Sequence, residues 1–103
     1  MNFIQIQTTF DNRDEAVAMA NALLDAGLVS CGQISEVESV YNWEGKRCDT
    51  NEYLLTLKTR KGLYNECEKF IAARHSYKVP QIIALDIATG SADYLKWIED
   101  STK

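Results

Sequence analysis

Hydrophobic and polar positions alternate along residues 3–9, with Phe3, Gln5 and Gln7 on one parity and Ile4, Ile6 and Thr8 on the other. A period of two with β-branched enrichment predicts a strand. Asp11 and Asn12 then supply cap oxygens, and Asn12 followed three residues on by Glu15 resembles a capping box. Ala16, Ala20, Leu23 and Leu24 fall at helical spacing and Gly27 offers a stop, so a helix is expected over roughly 13–26. The small alanines on its inner face would let it lie close on a sheet. From Leu28 to Trp43 the helical period disappears and Val, Ile, Tyr and Ser predominate. This predicts a long second strand with Gly32 as its irregularity. After a turn at Glu44-Gly45-Lys46, residues 52–59 set Tyr53, Leu55, Leu57 and Thr59 against Glu52, Leu54, Thr56 and Lys58. That is the cleanest alternation in the chain, and it predicts strand three.

A second helix, entered near Gly62, is predicted from Leu63, Cys67, Phe70, Ile71 and Arg74 at amphipathic spacing. Pro80 punctuates, Gln81 to Ala88 reads as a buried fourth strand, and Ser91 caps a short final helix carrying Leu95, Trp97 and Ile98. The order is β-α-β-β-α-β plus a C-terminal helix: an α+β, ferredoxin-like chain with one antiparallel sheet. Residues 1–103 read as a single domain, without linker or repeat. Both main helices should cover one face and leave the other bare, with strands two and three too long to be covered. A bare face beside an extended hairpin predicts oligomerisation.

Composition narrows the function classes. The 103 residues are 46% hydrophobic and 25% charged, enough for a core without staples. The net charge is -4 and no basic run exceeds Arg60-Lys61, which argues against nucleic-acid binding through phosphate neutralisation. No apolar run approaches the ~20 residues that span a bilayer, so no direct membrane insertion is expected. The N-terminus opens directly as a strand, without a basic leader. Cys31, Cys48 and Cys67 are odd in number and in no C-x-x-C spacing, which predicts free thiols in a reducing, cytoplasmic setting.

The segment Tyr41-Asn42-Trp43-Glu44-Gly45-Lys46 stands out. A hairpin needs only turn formers here. Tyr41 and Trp43, two apart in an extended segment, share a face and form an aromatic ledge. Such a ledge meets another part of the fold, a ligand or a second subunit. His75, the only histidine, follows helix two and precedes Ser76-Tyr77-Lys78-Val79-Pro80. It reads either as a metal ligand or proton-exchange group beside Tyr77, or as a capping histidine. Thiolate with imidazole suits copper or zinc, but the cysteine spacings fit no closed site, and Cys67 reads as a core residue. Glu52 and Lys58 share a strand face, as a polar pocket or as solvent-facing residues. No nucleophile elbow, P-loop or Gly-rich dinucleotide loop occurs, and the basic RNA-binding pattern of this topology is missing. Enzymatic activity is not expected.

Four segments carry a resemblance to the CutA family of divalent-cation-tolerance proteins. Ser39-Val40-Tyr41-Asn42-Trp43-Glu44-Gly45-Lys46 is close to the family's Ser-x-Tyr-x-Trp-x-Gly-Lys pattern, and Glu52 to Lys58-Thr59 resembles its third strand. His75-Ser76-Tyr77 to Pro80 is similar to its His-Pro-Tyr-x-x-Pro-Glu turn, and Asp93-Tyr94-Leu95 with Trp97 resembles its tail. Three departures are Ser76 for proline, Gln81 for glutamate, and Cys31-Gly32-Gln33 for Cys-Val-Asn. The resemblance implies a PII-like homotrimer with hairpins pairing between subunits and ligands held in clefts between them. It marks Tyr41, Trp43, Lys58, His75 and Tyr77 as cleft residues, and His75 is the candidate ligand for a divalent metal such as Cu(II). Some members are proposed to bind copper through a strand-one cysteine and a His-His pair; Gln7 and Arg74-His75 stand at those positions here. The function so implied is that of a cytoplasmic homotrimer in divalent metal tolerance or response. The alternatives are a scaffold for a protein partner with no metal role, and an enzyme using His75 as acid–base with Tyr77 or Lys58.

Overall fold

Two central strands set the architecture. In the computed structural model, which describes residues 1–103, β1 (Phe3–Phe10) lies antiparallel to β3 (Lys46–Arg60), pairing Ile4 with Thr59, Ile6 with Leu57 and Thr8 with Leu55. Directly opposed residues share a face, so these six form the floor of the core. β2 (Cys31–Trp43) and β4 (Ile83–Asp86) flank the pair, giving the order β2-β3-β1-β4. With α1 (Arg13–Asp25), α2 (Tyr64–Arg74) and α3 (Ala92–Asp100), this is the expected α+β, ferredoxin-like arrangement with a tail helix. Phe10, Leu23, Leu55, Leu57, Cys67 and Ile71 are fully buried in one cluster beneath α1 and α2. No helix is long and apolar enough to cross a membrane.

Local signals explain the elements. The Asn12 side chain accepts a hydrogen bond from the Glu15 backbone N–H at 2.8 Å, and Gly27 ends the first helix at φ +69°. Only half of the capping box forms, because the Glu15 carboxylate turns instead to Ser76. The hairpin loop is Glu44-Gly45, with φ of 52° and 78°. Left-handed conformation at both positions matches the twist of the strands that a two-residue loop joins.

Four expectations are corrected. Gly32 is no irregularity: β2 pairs with β3 in unbroken register from Cys31–Lys58 to Trp43–Lys46. Glycine stands there because a Cβ would meet the Ala20 Cβ at 3.0 Å, where the helix comes down on the sheet. The third strand begins at Lys46, not Glu52, since pairing with β2 carries the polar stretch 46–51 into the ladder. The fourth strand covers only Ile83–Asp86, and all four residues are exposed rather than buried, because it pairs with β1 alone at the sheet edge. Finally, the second face is not wholly bare. The Tyr94 hydroxyl of α3 lies 3.8 Å from Cys31 Sγ, and Lys58 Nζ sits 5.7 Å from the Tyr94 ring centre, covering one end. The rest is open, with Tyr41, Trp43, Ile83 and Leu85 exposed.

Candidate functional site

The register places Tyr41 opposite Cys48 and Trp43 opposite Lys46, on the face that also carries Ser39 and Glu52. The turn after α2 folds back toward this face. Ser76 fixes it to α1: its backbone N–H and its hydroxyl both donate to the Glu15 carboxylate, at 3.1 and 2.9 Å. His75 fixes it to β1, stacking on Phe10 with ring centres 4.3 Å apart and planes 8° from parallel. The Tyr77 backbone N–H donates to His75 Nδ1 at 3.0 Å, so the ring proton is on Nε2 and is donated to the Thr9 carbonyl at 2.9 Å. Burial lowers the His75 pKa below its ordinary 6.5, against the opposing pull of the Thr9 carbonyl and of Glu15, Asp11 and Glu52.

So held, the Tyr77 hydroxyl donates to Glu52 Oε2 at 2.7 Å. Burial, reinforced by the hydrogen bond to Glu52, pushes the Tyr77 phenol well above its usual range and keeps it protonated. Glu52 itself is only 7% exposed. The ion pairs of the chain join Lys61 to Asp86, Lys96 to Asp100 and Lys103 to Glu66, and none reaches Glu52. Above this carboxylate opens a cavity of about 700 Å³ walled by Tyr41, Trp43, Tyr77, Val40 and Val79, with Thr9, Ser39 and Lys78 also at its surface. Its size is that of a small-molecule site.

Tyr41, Trp43 and Tyr77 therefore come together, while the other two candidates stand elsewhere. Lys58 lies six residues along β3 from Glu52, about 20 Å at ~3.3 Å per residue. Its ammonium donates to Gln33 Oε1 at 2.8 Å beneath α3. Glu52 and Lys58 thus form no common pocket. His75 stands behind the cavity with both ring nitrogens engaged, so it offers no free metal ligand. No group of three or more His, Cys, Asp or Glu side chains is close enough to hold a metal ion. Burial also raises the Cys67 thiol to about 11, and it donates to the Leu28 carbonyl at 3.5 Å, as a core residue does. The sequence offers Glu52 only as a polar-pocket partner of Lys58 or as a solvent-facing residue; its burial against Tyr77 is not legible in the alternation pattern. The contact that buries it comes from Tyr77, on a turn far along the chain.

A family model described as CutA1 divalent ion tolerance protein matches residues 4–101. The chain is 40% identical over 101 residues to the chloroplastic Protein CutA of Arabidopsis thaliana, covering 97% of this chain and 56% of that protein. It is 37% identical over 100 residues to the divalent-cation tolerance protein CutA of Pyrococcus horikoshii, covering 97% and 98% of the two chains. It thus spans little more than half of the plant relative but nearly all of the archaeal one. The crystal structure of CutA1 from Oryza sativa superposes with a TM-score of 0.96 at 36% identity, covering 100% of this chain and 95% of that one.

Proposed function

The chain belongs to the CutA1 divalent ion tolerance protein family, and from that premise we propose that it acts without catalysis, as a homotrimer that binds a small ligand beside its aromatic hairpin. Membership ties it to tolerance of divalent cations. The observation that carries the ligand-binding reading is the cavity in which Tyr41, Trp43 and Tyr77 converge over a buried carboxylate. A concave, largely aromatic site with few convergent polar groups is the usual form of a small-molecule site. Catalysis is disfavoured because the one histidine is committed through both nitrogens to backbone partners. Direct copper capture is disfavoured for the same reason. Three free thiols support a reducing compartment such as the cytoplasm.

Calorimetric titration of the assembled protein with Cu(II), Zn(II) and a panel of small metabolites tests this. A metabolite should give saturable heat, lost in Trp43→Ala while the assembly persists. If Trp43→Ala instead dissociates the assembly and lowers its melting point, the ledge is a scaffold element; if no compound gives heat, the binding role falls.

A further inference from the structure

We propose that the cavity takes a small organic cation, an ammonium group carried on an apolar body, with Glu52 as its counter-charge. This rests on the cavity being the ligand site and names the chemistry of what enters it. A carboxylate withdrawn from water needs an opposite charge or a full set of hydrogen bonds. Glu52, 7% exposed, has one: the Tyr77 hydroxyl on Oε2. Its other oxygen has no partner within the chain, and Glu52 lines the cavity. A carboxylate with one hydrogen bond and no ion pair therefore forms part of the cavity wall.

The walls select the same charge. Tyr41, Trp43 and Tyr77 present aromatic rings, whose faces attract cations through their quadrupole. Val40 and Val79 supply apolar surface for the body of the ligand. A bare divalent metal is disfavoured, because it needs several hard or basic ligands and the cavity offers one carboxylate among hydroxyls. An anion would be set against an uncompensated negative charge. Lys78 is the only cation at the cavity surface; it is exposed to solvent, where its field is screened more than that of Glu52, which is 7% exposed.

The test is titration of the whole assembled protein with three probes of matched shape: benzylammonium, neutral benzyl alcohol and anionic benzoate. Benzylammonium is expected to bind at least tenfold more tightly than the other two, with affinity falling as salt rises. The isosteric Glu52→Gln should erase that preference. Trp43→Leu, at a position exposed enough not to endanger folding, should weaken the ammonium more than the alcohol; Lys78→Met should leave ammonium binding unchanged or tighter. Equal binding of ammonium and alcohol, preference for benzoate, or a preference that survives Glu52→Gln overturns the proposed charge while the cavity remains a ligand site. If no probe binds but a neutral or anionic metabolite from the broader panel does, the cation class alone is overturned. Silence across both panels removes the ligand site as well.

Discussion

His75 links three parts of the chain through one neutral ring. Stacking on Phe10, donation to the Thr9 carbonyl and acceptance from the Tyr77 N–H all require the Nε2-protonated tautomer, and a second ring proton would face the Tyr77 N–H. The folded state therefore favours the neutral form, consistent with a pKa lowered by burial. The linkage follows in sign: between the folded value and the unfolded value of ~6.5 the unfolded chain binds more protons. The stabilisation is complete above ~6.5 and is lost as pH falls through the lower folded value. Urea midpoints measured between pH 7.5 and 5.5 should fall on the acid side. His75→Phe keeps a stackable ring and loses both hydrogen bonds; it should cost about 1–2 kcal/mol at neutral pH and flatten this slope. An imidazole titrating above ~6.5 by NMR would contradict the lowered pKa and reverse the expected slope. The lone histidine was visible in the sequence, but which of its two readings held was not. Its partners Phe10 and Thr9 are brought there only by folding.

Between elements, α1 lies close on the sheet at Gly32. A methyl group at Gly32 would stand 3.0 Å from the Ala20 Cβ and 3.3 Å from Leu55 Cδ1 and Leu57 Cδ2. Glycine within a strand ordinarily loses ~0.5–1 kcal/mol to backbone entropy relative to alanine. Here the sign reverses, because the Ala20 Cβ is fixed to its helix and cannot rotate aside. Gly32→Ala should destabilise by about 1–3 kcal/mol in urea unfolding, the range for overpacked cores; a gain in stability would show slack between helix and sheet. The alanines announced this close approach in the sequence, and β1, α1 with its caps and the regular half of β3 were equally legible, since local periodicity and cap chemistry determine them. Residues 46–51 were not, because their strand character comes from pairing with β2 rather than from alternation. Nor was the length or exposure of β4, whose apolar run resembles that of an interior strand. Its isolation reflects sheet order, which the local pattern does not encode.

At the scale of the molecule, one chain carries more surface than its length requires. Its accessible area is 6327 Å², against roughly 5,900 Å² for a monomer of this mass. Its radius of gyration is 14.2 Å, against about 13 Å for a compact chain of this length. Apolar residues outside the cavity contribute to this excess: Ile83, Leu85 and Trp97 are each at least 44% exposed. The sheet also ends in two unlike edges, β2 on one side and β4 on the other, each with unpaired backbone groups. Pairing of the two unlike edges between copies is a head-to-tail contact, which builds a ring where its rotation closes rather than a two-fold pair. The homotrimer proposed above is one such ring. Sedimentation at micromolar concentration should accordingly show about three times the 11.7 kDa chain mass, and the melting temperature should rise with protein concentration, as mass action requires. Leu85→Lys separates assembly from folding. Leu85 is 47% exposed in the single chain and lies outside its core cluster, so the charge should leave the subunit folded while desolvation of the ammonium splits the ring. If Leu85→Lys sediments like the unaltered protein, β4 lies outside the contact; if the unaltered protein is already monomeric with concentration-independent melting, the open face serves something other than a second copy.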